Sequence, residues 1–222
     1  MTGYQHVPGA TYQRAVLFDL DGVLVDSFAV MRQAFQIAYN EVVGPGQAPF
    51  EEYNKHLGRY FPDIMTIMGL PLAMQEPFVR ESYRLAGEVQ VFDGAPELVA
   101  DLRANRFGTA VVTGKAGPRA RSLLSTLGMA ELFDHIIGSD EVANPKPAPD
   151  MLLLATELLG VSADRVVMVG DAVTDLASAR AADYPALAAL WSDVDEAELL
   201  AAAPTAAVRK PSEVLNWCLE HL

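Results

Sequence analysis

Positive charge is scarce in this chain. Its 222 residues carry 16 Lys and Arg against 29 Asp and Glu, a net charge of −13. Proteins that bind nucleic acid generally, or that dock on anionic membranes, present a basic surface, so neither partner is expected. Cysteine is nearly absent. With Cys218 alone, no intrachain disulfide can form, and a reducing compartment suits the chain. Cys218 reads as a small buried apolar residue on the last helix. Long apolar runs are missing too: none approaches the ~20 residues that span a bilayer. Residues 1–14, MTGYQHVPGATYQR, lack the basic-then-apolar pattern of a secretory signal. A soluble, cytoplasmic protein is the expectation. Low-complexity tracts and fixed-period repeats are also absent, and nothing separates a monomer from a homodimer.

Apolar residues make up 51% of the chain, enough for the core of one α/β domain with an insertion. Short apolar runs ending in polar or glycine-rich turns recur: AVLFDL (15–20), GTAVVTG (108–114), HIIG (135–138), VVMVGD (166–171) and ALAALW (186–191). Helical patterns lie between them, starting near Pro96, Pro118 and Pro149. The last two stop at Gly128 and Gly160, the usual proline-first, glycine-last punctuation. Alternating strands and helices indicate a doubly wound parallel sheet covered on both faces. Residues 28–90 break the alternation and read as helical throughout. This divides the chain into a core of 1–27 and 91–222 and a helical cap of 28–90, with hinges near Ser27 and near Phe92-Asp93-Gly94. An insertion after the first strand sits above the carboxyl ends of the strands, where such sheets bind small molecules.

The chemistry-bearing residues gather at strand ends. Asp19 and Asp21 leave the first strand two residues apart and so face the same way, and Gly22 lets the backbone turn sharply. Alone, such a pair is explained by capping or a turn. The run VVMVGDAVTD repeats the device, placing Asp171 at a strand end and Asp175 in the first turn of the next helix. Carboxylates converging without a cation are unfavourable, and an oxygen-rich acidic cluster suits a hard divalent ion, Mg²⁺ above all. Thr113 and Gly114 follow another strand and precede a helix, where a hydroxyl and free N–H groups make an anion site. Lys146 sits between prolines in NPKPAPD, which should hold the backbone extended and aim a fixed cation at the crevice. A carboxylate pair, a metal cluster, an anion cradle and a lysine in one crevice suit phosphoryl transfer.

DLDGVLVDS, VVTG, NPKPAPD and VGDAVTD, in that order, resemble the four motifs of the haloacid dehalogenase superfamily of phosphohydrolases. The helical insertion resembles the small cap of its phosphoglycolate phosphatase and β-phosphoglucomutase branch. The resemblance implies that Asp19 is the nucleophile, forming an aspartyl-phosphate, and that Asp21 is the general acid and then the base. It implies that Thr113, Gly114 and Lys146 hold the phosphoryl group of a small phosphorylated metabolite. It also implies that Mg²⁺ is bound by Asp19, the backbone carbonyl of Asp21 and Asp171, with Asp175 binding directly or through water. A closer resemblance, in DSFAVMRQAFQIAYNEVVG, HLGRYFPDIMTIMGLP, FVRESYRLAGEVQVF and GPRARSLL, is to the phosphatases associated with 3-amino-5-hydroxybenzoate synthesis, the starter unit of ansamycin and mitomycin antibiotics. That likeness implies an amino sugar phosphate or a related intermediate as substrate. The sequence departs from those relatives at Ala181-Ala182-Asp183, where glycine is usual in the last place; Asp tolerates the left-handed turn better than most residues.

In the cap, Gly58 and Arg59 sit at a helix–helix turn, and Arg59 is a candidate for a substrate anion. Lys55, His56, Arg80 and Arg84 are weaker candidates, each read as an exposed face residue, and His135 is read as structural. Phosphomutases of similar sequence usually carry a histidine in the first cap helix. Met31 stands there, which favours hydrolysis. A signalling receiver lacks both the cap and the paired aspartates. An idle interaction protein has no need of all four chemical positions.

Overall fold

The computed structural model describes residues 12–56 and 59–222. Its centre is a parallel sheet built from β1 (Arg14–Phe18), β4 (Phe107–Thr113), β5 (His135–Gly138), β6 (Val166–Gly170), β7 (Ala186–Ala189) and β8 (Ala206–Val208), in the spatial order β5-β4-β1-β6-β7-β8. The strands are parallel throughout, with Phe18 level with Val111 on one side and Val169 on the other. β1 is central because its apolar run is wholly buried, with partners on both edges. Successive side chains feed opposite faces. Val16 and Phe18 join the core with α5 (Ala95–Ala104), α6 (Gly117–Thr126) and α10 (Ser212–His221), whereas Ala15 and Leu17 join the core with α7 (Asp150–Leu159) and α8 (Val173–Ala181). From β1 the chain order runs outward both ways, so the switch point lies at the carboxyl end of β1, where crevices of such sheets form.

Residues 28–90 form α1 (Phe28–Val42), α2 (Phe50–Asn54), α3 (Phe61–Met68) and α4 (Gln75–Arg84), packed around aromatic rings. Phe35 stacks on Tyr53 at 4.5 Å and Phe61 on Phe78 at 4.6 Å between ring centres. Such pairs add about 0.5–1.5 kcal/mol each beyond area burial. A short ribbon bounds the segment. β2 (Val25–Asp26) and β3 (Gln90–Val91) pair antiparallel, so the chain enters and leaves the helices side by side. Two residues per strand leave no alternation to read. β8 also had no counterpart in the sequence reading, being a three-residue edge strand of AAV. The NPKPAPD segment turns rather than extends: the Lys146–Pro147 peptide is cis and the Ala148 N–H donates to the Pro145 carbonyl.

Cys218 is buried on α10, as its composition suggested. Asp183 takes the left-handed conformation, φ 60°, after α8, and Tyr184 buries beside it. α9 (Glu196–Ala201) precedes β8 and is capped by the Asp195 carboxylate accepting from the Glu198 N–H. Among the described residues no helix is long and apolar enough to cross a membrane.

Candidate active site

The carboxyl ends of β1, β4 and β6 open into a cavity of about 800 Å³ lined by Asp19, Asp21, Thr113, Gly114 and Asp171 from the sheet side and by Met31, Lys55 and Arg59 from the helical segment. β1 delivers Asp19 as the residue after the strand, where its N–H still donates to the Val169 carbonyl of β6. The chain then reverses at Gly22, whose φ of +79° lies in the left-handed region. A Cβ there would stand 1.7 Å from Asp171 Oδ2, so glycine is what lets the two strand ends close on each other.

Asp19, Asp171 and Asp175 each bring a carboxylate oxygen within 4.8 Å of the others. Lys146 is the only cation inside the cluster among the described residues. It is 1% exposed, with Nζ 3.0 Å from Asp19 Oδ1 and 2.6 Å from Asp175 Oδ1, and it also donates to the Val112 carbonyl. One ammonium does not neutralise three carboxylates. Burial, opposed by Lys146, pushes the Asp19 carboxyl up to about 7. Burial and then the neighbouring Asp19 and Asp175 charges push Asp171 well above the usual carboxylate range. Burial alone would depress the Lys146 ammonium, yet the Asp175 and Asp19 carboxylates outweigh it and hold that group above its ordinary value. Asp19 Oδ1, although beside Lys146, is buried without a properly directed hydrogen bond. An all-oxygen cluster with surplus negative charge and an unsatisfied buried oxygen fits a hard divalent cation.

Asp175 is fully buried on the first turn of α8, where Oδ2 accepts the Ala172 N–H while Oδ1 meets Lys146. Both its oxygens thus already have protein partners. Thr113 is buried at the end of β4, its hydroxyl accepting the Lys115 N–H, and the Gly114 carbonyl accepts the Ser139 hydroxyl. Arg59 lines the cavity; Gly58 lies outside the described residues. Arg80 and Arg84 are spent on Glu41 and Glu81, and Lys55 on Glu52.

Three residues to which the sequence reading gave no role in the site complete the geometry. Lys115 places Nζ 3.0 Å from Asp21 Oδ2, and Ser27 donates its hydroxyl to Asp21 Oδ1. Burial would raise the Asp21 carboxyl, but Lys115 and Ser27 outweigh it and hold the group below the usual range. Ser192 donates to Asp171 Oδ2 at 3.2 Å. The lysine directly after VVTG was the available signal for Lys115; Ser27 and Ser192 carried none.

Residues 13–183 match the family described as haloacid dehalogenase-like hydrolase. The chain is 32% identical over 214 residues to the probable phosphatase IndB of Dickeya dadantii (strain 3937), covering 90% of this chain and 91% of that one. It is 34% identical over 198 residues to the phosphoglycolate phosphatase of Xylella fastidiosa (strain Temecula1 / ATCC 700964), covering 83% of each. A predicted phosphatase from Clostridium acetobutylicum shares the fold at a TM-score of 0.82 and 24% identity, over 94% of this chain and 99% of that one. With a matching family, named phosphatase relatives along nearly the whole length, and carboxylates and lysine gathered at the switch point, the chain belongs to the haloacid dehalogenase-like hydrolases and is a phosphatase.

Proposed function

We propose that the protein is a Mg²⁺-dependent phosphomonoesterase of small phosphorylated metabolites, working in the cytoplasm through an aspartyl-phosphate at Asp19. The observation that carries this reading is the cluster of Asp19, Asp171 and Asp175 around Lys146, with Asp19 Oδ1 buried and unsatisfied. Mg²⁺ would be held by Asp19, Asp171 and the Asp21 backbone carbonyl, with Asp175 joining directly or through water. When bound, the ion supplies positive charge against the phosphate oxygens. Asp19 attacks phosphorus, and Asp21, having taken up a proton from solvent when substrate binds, gives it to the departing alcohol. Asp21 then takes a proton from the water that cleaves the acyl-phosphate. Lys115 favours the ionised form of Asp21 that this second step needs. Thr113, the Gly114 N–H and Lys146 hold the phosphoryl oxygens, and Arg59 meets the rest of the substrate.

Residues 28–90 act as the cap, moving on the β2–β3 ribbon and excluding water until the leaving group departs. Met31, buried on α1 and lining the cavity, puts an apolar group where a mutase needs a proton-restraining histidine, which supports hydrolysis. Two substrates deserve trial first: an amino sugar phosphate on the path to 3-amino-5-hydroxybenzoate, from the sequence resemblance, and 2-phosphoglycolate, from the named relatives. The test is phosphate release from both and from p-nitrophenyl phosphate, with Mg²⁺ and after its removal. The reading requires Mg²⁺-dependent turnover that Asp19→Asn lowers at least about a thousandfold. Equal rates for the two chains would remove it.

A further inference from the structure

The cavity wall carries a cation that forms no ion pair among the described residues. Four cationic side chains line the space: Lys55, Arg59, Lys115 and Arg119. Lys55 is paired with Glu52 and Lys115 with Asp21. Arg119 stands on the first turn of α6 and meets no carboxylate within ion-pair distance among the described residues. Its contacts are neutral. Nη2 donates to the Ser82 hydroxyl at 3.2 Å, and the guanidinium lies 5.1 Å over the Phe78 ring, both groups belonging to α4. Nε is buried with no acceptor among the described residues.

A guanidinium withdrawn from water without a counter-ion is costly. Burial depresses the charged form of Arg119, opposed by Tyr53 and Asp21. Asp21 does not serve as its counter-ion, because Lys115 and Ser27 already take both carboxylate oxygens. Arg119 nonetheless lines the same cavity as Asp21. A substrate poised for protonation by Asp21 therefore brings its leaving group toward Arg119. The Ser82 and Phe78 contacts fix the plane of the guanidinium, and a fixed planar fork matches a carboxylate better than a point cation does. A second phosphoryl group is a poorer match, since Asp26, Asp193, Asp195 and Glu198 line the same cavity and repel a dianion.

We infer that Arg119 is a specificity-determining residue: it receives a carboxylate carried on the leaving-group side of the phosphomonoester. This rests on the hydrolase reading above, and it favours an acidic over an amino-bearing leaving group. The test is calorimetric binding, in Mg²⁺, of phosphonoacetate and of ethylphosphonate, which has no carboxylate and resists hydrolysis equally. The wild-type chain binds phosphonoacetate about ten- to hundredfold more tightly, the range of a charge-assisted hydrogen bond. Arg119→Gln reduces that ratio to below about threefold, and Arg119→Lys, which keeps charge without the fork, leaves it in between. A wild-type ratio near one overturns the assignment, as does a ratio that survives in Arg119→Gln or, should that variant fail to fold, is undiminished in Arg119→Lys. Absent turnover of p-nitrophenyl phosphate by the wild-type chain would sink the hydrolase reading instead, while the binding ratio still decides the role of Arg119.

Discussion

Replacing Lys146 by methionine keeps an unbranched side chain one atom shorter and deletes its charge. In the wild type Nζ lies 3.0 Å from Asp19, 2.6 Å from Asp175 and 3.1 Å from the Val112 carbonyl, in a site with no water access to speak of. Lys146→Met leaves two carboxylates buried against each other. Removing one partner of a buried pair costs about 3–5 kcal/mol. For a chain of this size that corresponds to a fall in Tm of roughly 6–20 °C, at about 2–4 °C per kcal/mol. Native domains hold about 5–15 kcal/mol in all, so the variant should still fold at low temperature. Urea unfolding followed by circular dichroism measures the loss directly. Adding Asp175→Asn removes one stranded charge and should restore part of the stability, whereas Asp175→Asn alone should destabilise. A loss under about 1 kcal/mol for Lys146→Met, in the range of a surface ion pair, refutes the claim that this lysine offsets the charge of Asp19 and Asp175.

Three further outcomes follow from local geometry. Gly22→Ala forces a left-handed residue at a cost of about 1–2 kcal/mol and drives its methyl onto Asp171; the rise in Tm with Mg²⁺ expected of the wild type under the proposed mechanism should vanish, and an intact rise would contradict the shared cation. Phe35 is fully buried among Phe50, Tyr53 and Phe78, so Phe35→Ala should cost about 3–5 kcal/mol and expose residues 28–90 to proteolysis before the sheet; simultaneous cleavage of both regions would deny the helices their status as a separate unit. Burial lifts the Cys218 thiol from 9.0 to about 12. The unfolded chain ionises it first, so its contribution to stability is complete below the lower value and is lost as pH rises toward the upper one. Native protein at neutral pH should react with a thiol reagent only as it unfolds, and prompt reaction would place Cys218 at the surface.

The central strands were legible because each is an uninterrupted buried apolar run: AVLF in β1 and VVMVG in β6, bounded by turn residues, suit the inside of a two-sided sheet. Asp19, Asp21, Asp171 and Asp175 were legible because each closes such a run or opens the following helix. The structure brings Asp19, Asp171 and Asp175 together and draws in Lys146. What escaped was set by contacts distant in sequence or too short to leave a pattern. The β2–β3 ribbon has two residues a side, and β8 is an alanine-rich edge. Lys115 was visible as a residue but not as the partner of Asp21, because that depends on how the turn after β4 faces the turn after β1. The bend at Lys146 and Pro147 ran against the extended conformation that flanking prolines suggest, yet the lysine reached the carboxylates all the same.

The proposed mechanism requires Asp19 to be the group that takes the phosphoryl. Rapid mixing of the Mg²⁺-loaded protein with p-nitrophenyl phosphate, acid quenching and peptide mass spectrometry locate the modified residue. A phosphoryl group on Asp19, formed only with Mg²⁺ and absent from Asp19→Asn, is the predicted result. Turnover accompanied by a phosphoryl group on any other residue, or undiminished in Asp19→Asn, would contradict it.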